Sequence, residues 1–495
     1  MWLDHAHIGE GLALQPPAQW LELFREPFAG TGYYRPLTAL SLSIDARWGH
    51  AAVFHGVNLA LHALAAVLLL LAAEALGTSR RAATLGALLF AAHPVGSLVA
   101  GAVAFRSESL IACGLFGLIA AHKRGRPGWA AAAVLVASLS KETGWALAPL
   151  FVLALELERR SKTAHHVTHP IRPWTLFAAE GAAFAAALGL RLLYAPRWLG
   201  QFPELSAAEA VGTRLSALAK SAAYLFAPIE RSICDAFPIM QLTAPAAIAG
   251  ALVALGLCVL SWRGGALGML TALAVLPSLQ LVPTLRWWSP HYLYVAAAFL
   301  SLLVARQVER RGARAAVFAL SVTALLGVLS FRDGRRYLSD DTLWRPEVAR
   351  EAACREGHFY LGEAARKRKQ LADATQHYEA ALASRGGMLA FVDLDATLTN
   401  YGLVLFGQGR YGEAQRAFES ALPLVTDALT RRKLNHDIAT AMLAGGDAAS
   451  AVARLEAEAR RPDALRDSLL IYAKALQSLG RVDEAEAVRT RLETR

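Results

Sequence analysis

Apolar and polar positions follow different patterns in the two parts of the chain. Between about residues 52 and 330, apolar runs recur that are suited to crossing a bilayer as helices, and they lack the alternation of barrel strands. Several runs are shorter than the ~20 residues of a straight span, which broken or re-entrant helices around a cavity would explain. We predict spans near 52–76, 82–93, 106–121, 128–139, 144–157, 173–194, 243–262, 265–283, 291–305 and 315–330.

The tail of the chain contains an internal repeat. Offsets of 12, 16 and 19 residues relate two sets of positions: Gly362, Ala374, Tyr378, Ala381 and Gly402, Ala414, Phe418, Ala421. Ala439, Ala451, Leu455 and then Ala473, Ala485 continue the pattern. The leading small residues are 40, 37 and 34 positions apart, and a tetratricopeptide unit has about 34 residues. The pattern predicts paired antiparallel helices with a concave surface for a peptide or partner protein; a generic Ala-rich bundle is the alternative.

The two patterns together predict an all-α protein. We expect a polytopic transmembrane helix bundle of about ten or eleven helices followed by a tetratricopeptide α-solenoid. Residues 1–50 form an external loop region that carries the candidate catalytic loop, 51–335 the multi-pass membrane domain, and 340–495 the repeat domain.

Charge predicts how the bundle is oriented. The net charge is +10, and much of it lies in short loops between the spans. By the positive-inside rule these loops are cytoplasmic, namely Arg80–Arg81, 122–126, 158–172, Arg263 and 306–314. The scheme requires that 211–228, which carries Arg214 and Lys220, be interfacial or re-entrant. Residues 1–50 and the repeats are then external, and we expect one more helix to precede residue 1.

Composition excludes several classes of function. The basic residues form no stripe with interleaved aromatics, so we expect no nucleic-acid partner. The four cysteines form no CxxC pair, disulfide framework or zinc motif. Ala, Arg and Leu dominate, as in a GC-rich bacterial genome, which favours a bacterial inner membrane with the repeats in the periplasm.

The predicted external side carries an unusual set of ionisable residues. Such groups are costly at membrane depth and usually face a cavity or each other. They are Asp4, His5, His7, Arg35, Asp45, His55, His62, His93, Arg106, Glu108, Lys141, Glu142, Arg286 and His291, with Asn58, Trp287, Trp288 and Tyr292 beside them. A carboxylate can act as a general base and an arginine can hold a phosphate leaving group.

Structural interpretations compete with these roles. Trp287 and Trp288 are typical of an aromatic belt at the membrane interface. Lys141 and Glu142 could pair with each other, and His55 and His62 could be packing residues between helices. No metal site is predicted, although Asp4, His5 and His7 could hold a divalent ion weakly.

The order of the motifs resembles the transmembrane and tetratricopeptide-repeat O-mannosyltransferases of the GT-C glycosyltransferase superfamily. The matching strings are Tyr33-Tyr34-Arg35-Pro36-Leu37, Asp45 with Trp48-Gly49, Asn58 with His62, His93-Pro94, Arg106 with Glu108, Ser140-Lys141-Glu142 and Tyr292-Leu293-Tyr294, with the repeats after them. The resemblance extends over nearly the whole chain. It departs from the family pattern at Gly96, Leu98, Pro290 and His291, where the family has His, Glu and Glu-Arg.

The resemblance implies a GT-C-like fold and a membrane glycosyltransferase. Such an enzyme moves a sugar, expected to be mannose, from a polyprenyl-phosphate carrier to Ser or Thr of an external protein or to a glycan. It implies Asp4 as the catalytic base, and Arg35, Arg106 and Lys141 as candidates to hold the lipid phosphate. No cofactor is expected besides the lipid-linked donor.

Two other functions stay open at this point. One is a catalytically inactive membrane anchor whose repeats recruit a partner protein. The other is a transporter or flippase. The sequence shows no pseudo-symmetry between the two halves, which counts against this function.

Overall fold

A computed structural model describes residues 14–30, 32–162, 173–195, 203–229, 232–282 and 284–493. The described chain is mostly helical and has only two strands of two residues each, which confirms the all-α prediction. It divides into two compact units, Met1–Leu343 and Trp344–Arg495.

The first unit contains thirteen α-helices among its described residues. They are α1 Pro36–Ala46, α2 Ala51–Ala75, α3 Arg80–Ala92, α4 Val95–Gly101, α5 Arg106–Lys123, α6 Pro127–Ser140, α7 Thr143–Lys162, α8 Pro173–Tyr194, α9 Ala207–Phe226, α10 Pro245–Arg263, α11 Gly265–Val275, α12 Tyr294–Arg311 and α13 Ala313–Gly334. Short 3-10 helices lie at Pro17–Gln19, Glu22–Phe24, Phe28–Gly30, Val103–Phe105, Leu276–Leu279, Pro290–Leu293 and Arg335–Leu338, and a two-residue strand at Phe237–Pro238.

Among the described residues, six helices are long and apolar enough to cross a membrane, where the sequence predicted ten spans. They are Ala51–Ala75, Val103–Lys123, Trp174–Tyr194, Pro245–Arg263, Pro290–Arg311 and Ala313–Leu338. Helices α3 and α4 would make a seventh span bent by 59°. Pro127–Ser140 and Gly265–Leu279 are apolar but short. The other predicted spans stay predictions, since length and composition alone distinguish these six helices.

Helix α14, Asp340–Arg350, contains the boundary between the units, and eight further helices follow it. These are α15 Arg355–Lys367, α16 Leu371–Leu382, α17 Leu394–Gly407, α18 Tyr411–Ala421, α19 Ala428–Ala444, α20 Ala448–Ala459, α21 Arg466–Ser478 and α22 Val482–Glu493, with a two-residue strand at Met388–Leu389. Each helix packs mainly against its neighbours in the chain.

The repeated positions of the tail have repeated environments. All of the small, aromatic and leucine positions in the pattern are buried, including the two glycines. The same close contact recurs in two successive helix pairs. A Cβ on Gly362 would lie 3.0 Å from the Tyr378 ring, and a Cβ on Gly402 would lie 2.5 Å from the Phe418 ring. The glycines therefore let an aromatic ring pack directly against the backbone of the preceding helix.

Candidate functional site

Three interruptions in the helices of the first unit carry the polar residues singled out in the sequence. The chain breaks at Ala102–Phe105 before α5, at Lys141 and Glu142 between α6 and α7, and at 276–293 between α11 and α12. Eight residues beside these breaks form what we call the polar cluster: Arg35, Asp45, Arg106, Glu108, Lys141, Glu142, His291 and Tyr292. Three ion pairs connect residues that are far apart in the chain.

Arg106 is the most buried member of the cluster. Its side chain is fully buried, and Nη2 lies 2.5 Å from Asp45 Oδ2. Nε donates to Asn58 Oδ1 at 2.7 Å, while Nη1 and Nη2 donate to the carbonyl oxygens of Ser41 and Phe54, each at 3.0 Å. Arg106 thus ties α1 and α2 to the start of α5. Its donors are used within the protein, as a buried guanidinium requires.

Lys141 and Glu108 form the second pair, which is also buried. His291 Nε2 lies 3.7 Å from Glu108 Oε1, and its Nδ1 lies 2.6 Å from the Ser289 hydroxyl. The Lys141 ammonium lies 5.4 Å from the centre of the Tyr292 ring. One carboxylate therefore has two basic neighbours from separate breaks in the helices.

Arg35 and Glu142 form the third and most accessible pair. Arg35 donates to Glu142 through Nε at 2.8 Å and Nη2 at 2.6 Å, and the backbone N–H of Tyr34 donates to the same carboxylate at 3.2 Å. The two side chains are 14% and 20% exposed, against 0–6% for the other two pairs. A substrate approaching the cluster would meet Arg35 and Glu142 first.

A small cavity adjoins the second pair. Its lining includes Glu108, Lys141, Thr143, Pro277 and Tyr292. Its volume of ≈ 10 Å³ is close to the room that a single water needs. The cavity in this form of the protein is therefore too small for a sugar or a phosphate ester.

His62 and His93 make hydrogen bonds outside the polar cluster. His62 Nδ1 lies 2.6 Å from the Tyr294 hydroxyl, and Nε2 lies 3.2 Å from the carbonyl oxygen of Ala91. A Cβ on Gly96 would lie 2.8 Å from the His62 ring, so the glycine makes room for this histidine. His93 accepts from the Val95 N–H and lies 3.2 Å from the carbonyl oxygen of Leu225, which places the proton on Nε2.

Two structural interpretations from the sequence are wrong. Lys141 and Glu142 do not pair with each other, because the break after α6 aims them at Glu108 and Arg35. Trp287 and Trp288 are only 7% and 1% exposed, so they are packed inside the unit rather than forming a belt at its surface.

The predicted catalytic Asp4 lies outside the described residues, and so do His5 and His7. Among the residues that the structure does describe, no group of three or more His, Cys, Asp or Glu is placed to hold a metal ion.

The opposite end of α5 carries two further ion pairs. His122 Nδ1 lies 2.8 Å from Glu180 Oε1, and Lys123 Nζ lies 3.1 Å from Glu158 Oε2. His122 and Lys123 come at the last turn of α5, which places their backbone about 24–26 Å from that of Arg106. The His122–Glu180 pair is buried and lies away from the three breaks, so it serves as a matched control for the polar cluster.

Sequence reasoning missed a histidine pair in the second unit. His358 on α15 and His377 on α16 have their Nδ1 atoms 3.1 Å apart. Burial, together with the charges of His377 and Arg385, lowers the pKa of His358 to about 4. Only the packing of the two helices brings these residues together, and no sequence motif marks them.

Sequence reasoning also gave no role to Gln280, which lies in the break between α11 and α12. It has a left-handed backbone, with φ 51° and ψ 44°, which is uncommon for a residue other than glycine. The sequence signal that could have marked Gln280 is its polar amide side chain within an apolar run.

No protein-family model matches this chain, and no curated protein or solved structure matches it significantly. The class that the structure itself defines is a helical protein with a second unit of successively packed helices. Within the described ranges, six helices are suited to spanning a membrane.

Proposed function

We propose that this protein is a membrane glycosyltransferase that moves a sugar from a polyprenyl-phosphate carrier to a hydroxyl of an external protein or glycan. The acceptor oxygen attacks the anomeric carbon, the bond from that carbon to the phosphate oxygen breaks, and the lipid phosphate leaves. A carboxylate takes the hydroxyl proton, a role for which Asp4 is the candidate. The proposed setting is a bacterial inner membrane, with tetratricopeptide-like repeats in the periplasm.

The polar cluster is the observation that supports this proposal. Non-helical backbone and ionisable side chains within an apolar helix bundle are costly, and they usually persist where a polar substrate is handled. Here the three breaks and α1 together bring six formal charges, three of each sign, and a histidine into the polar cluster. A phosphate ester needs a cation at its leaving oxygen, and Arg35 is the cluster's most accessible cation.

The accessible pair suggests how the donor is received. A phosphate that approaches Arg35 competes with Glu142 for the same N–H donors. Glu142 therefore acts as a positioning residue that holds Arg35 extended over the Tyr33 ring, whose centre lies 4.2 Å from the guanidinium carbon. Removing the Glu142 carboxylate should leave the Arg35 guanidinium in the cluster but no longer held over the Tyr33 ring.

Sugar transfer by the purified protein in detergent tests the proposal. The protein is given polyprenyl-phosphate-mannose and a cell-envelope protein extract. We expect Asp4→Asn and Arg35→Ala to lower transfer by at least 100-fold, because each removes a group that acts in the transition state. Glu142→Gln should lower it less.

Glu180→Gln is the matched control, since it alters a buried carboxylate at the opposite end of the bundle. It should leave transfer within a few-fold of the unsubstituted protein. Thermal melts must show that every variant is folded. Equal loss of transfer in Glu180→Gln and Arg35→Ala would show that the assay reports stability rather than chemistry.

A scaffold is the second candidate function, and one observation favours it. Every arginine and lysine of the polar cluster has a carboxylate partner, so the cluster as seen needs no substrate for its charges to be compensated. The second unit meanwhile has a polar groove of about 690 Å³, lined by residues that include Arg432, Asn435 and Arg454. In this reading the membrane unit is an anchor and the groove recruits a partner protein.

Substitution in the groove of the full-length protein separates the two candidates. Arg454→Glu reverses a charge in the groove, and Arg481→Glu makes the same change outside it. If the scaffold reading is right, an envelope protein that co-purifies with the chain is lost in Arg454→Glu, retained in Arg481→Glu, and unaffected by Arg35→Ala. Transfer that depends on Arg35 would instead support the enzyme.

A further inference from the structure

Gln280 presents an amide group whose orientation is determined by its neighbours. Its Oε1 accepts from the backbone N–H of Thr284 at 3.2 Å and from the Thr284 hydroxyl at 2.7 Å. A flipped amide would set its NH₂ against a backbone N–H that can only donate, so the oxygen must face Thr284. The amide nitrogen therefore points the other way. It is buried, and it has no hydrogen-bond partner among the described residues.

Trp287 supplies a second buried donor from the same loop. Its side chain is 7% exposed, and its indole N–H also lacks a partner in the part of the chain that the structure describes. The adjacent Trp288 shows the usual arrangement, since its N–H donates to the Ser221 hydroxyl at 3.1 Å. Buried indole N–H groups normally find an acceptor. Two unsatisfied donors in one loop thus indicate a ligand that accepts hydrogen bonds.

Arg214 brings positive charge to both donors. Its guanidinium carbon lies 5.4 Å from the centre of the Trp287 ring, and its Nη2 donates to the carbonyl oxygen of Gln280 at 3.4 Å. Arg214 comes from α9, a helix that packs on the loop from outside the polar cluster. Arg214 therefore places one full charge beside the Trp287 ring and beside the backbone of Gln280, the two residues that carry the unsatisfied donors.

We infer that Arg214, Gln280 and Trp287 form a binding site for a phosphate group. The free groups of the site are donors, which excludes a cation, and the guanidinium favours an anion with several acceptor oxygens. The left-handed backbone at Gln280 supports this inference, because strained residues cluster at ligand sites where the surroundings hold them in place. The phosphate can come from a membrane lipid or from a soluble phosphate.

The site lies beside the polar cluster without sharing its residues. The Thr284 hydroxyl that Gln280 accepts from also lies 2.9 Å from the Tyr292 hydroxyl, and the Tyr292 ring faces Lys141. Thr284 would therefore couple a phosphate bound at this site to Tyr292 in the polar cluster. Phosphate binding does not require sugar transfer, so the two proposals fail separately.

Calorimetric titration of the full-length protein in a neutral detergent tests the inference. The probes are inorganic phosphate and a short-chain prenyl phosphate. Trp287→Phe removes one N–H and keeps the ring, and we expect about tenfold weaker binding of phosphate. Gln280→Glu keeps both hydrogen bonds from Thr284 but replaces the donor with an acceptor, so we expect at least 100-fold weaker binding.

Trp145→Phe is the matched control, since it removes another buried indole N–H that lacks a partner among the described residues. It should bind phosphate as the unsubstituted protein does. Tighter binding of the prenyl phosphate identifies a lipid as the source, and equal binding identifies a soluble phosphate. Failure of both probes to bind, or equal binding by all variants, would overturn the inference and leave buried water as the partner of the two donors.

Discussion

The two units of the chain use charge in opposite ways. In the first unit, Arg35–Glu142, Arg106–Asp45 and Lys141–Glu108 join residues from distant parts of the sequence and are largely buried. In the second unit, many ion pairs join residues three positions apart on one helix and are much more exposed, such as Arg410–Glu413 and Arg481–Glu484. Arg432–Glu458, which links two helices, is an exception.

The difference shows what each unit depends on. A buried pair costs desolvation, so losing one partner leaves an uncompensated charge and costs about 3–5 kcal/mol. An exposed pair in water contributes little and is screened by salt. The second unit must therefore owe its stability to apolar packing, as between Gly402 and Phe418. The first unit should lose stability when one partner of a buried ion pair is removed.

Removing the fully buried arginine should have the largest effect. Arg106→Leu leaves Asp45 and Asn58 without their central partner, and we expect about 3–5 kcal/mol of destabilisation. Thermal melts and detergent-solubilised yield would measure it. Arg106→Lys keeps the positive charge but not the planar set of N–H donors of a guanidinium, so it should lose less stability than Arg106→Leu. An unchanged melting temperature in Arg106→Leu would contradict the expectation that the contacts of Arg106 stabilise the first unit.

Filling the repeated glycine contact should come next. Gly402→Ala places a Cβ 2.5 Å from a Phe418 ring atom, and overpacking of this kind costs about 1–3 kcal/mol. Hydrogen exchange of α17 and α18 in the full-length protein would report the loss of protection. Gly412→Ala is the control, since a Cβ there meets only the end of the Arg416 side chain at 4.0 Å. Equal protection in both variants would mean that the ring moves aside freely.

A buried carboxyl in the second unit predicts a smaller effect that depends on pH. Burial raises the pKa of Asp437 to about 6, above the value of about 3.9 expected in the unfolded chain. Asp437 therefore destabilises the folded state as pH rises from 4 through 6, and the cost is complete above that range. Asp437→Asn should gain about 1–2 kcal/mol at pH 8 and nothing near pH 3.5. Hydrogen exchange of α19 at the two pH values, corrected for intrinsic rates, measures the difference; a gain that is equal at both would be inconsistent with this titration.

The smallest effect should come from an exposed local pair. Arg481 donates to Glu484 through Nε and Nη2, each at 2.7 Å, and both side chains are about half exposed. Arg481→Ala should leave the protection of α21 and α22 unchanged, because water replaces the lost partner. A loss as large as that in Gly402→Ala would remove the distinction between the two units.

The sequence predicted element type better than it predicted contacts. Apolar runs and repeated small residues indicated helices in both units, because helix formation depends on local pattern. Six helices of the described residues are suited to crossing a membrane by length and composition, and the other predicted spans stay predictions. The resemblance and its motif strings selected the members of the polar cluster, although their catalytic and binding roles stay predictions.

What the residues alone specify is the helices, the repeat of small and aromatic positions, and which residues are costly to bury. Those are properties of neighbouring positions, set by the period of the helix and by the chemistry of each side chain. The partner of each charge depended on the fold. Glu108 meets Lys141 and Arg35 meets Glu142 because breaks in the helices bring together segments up to 107 residues apart. The unsatisfied donors of Gln280 and Trp287 likewise exist only once the loop is folded against α9.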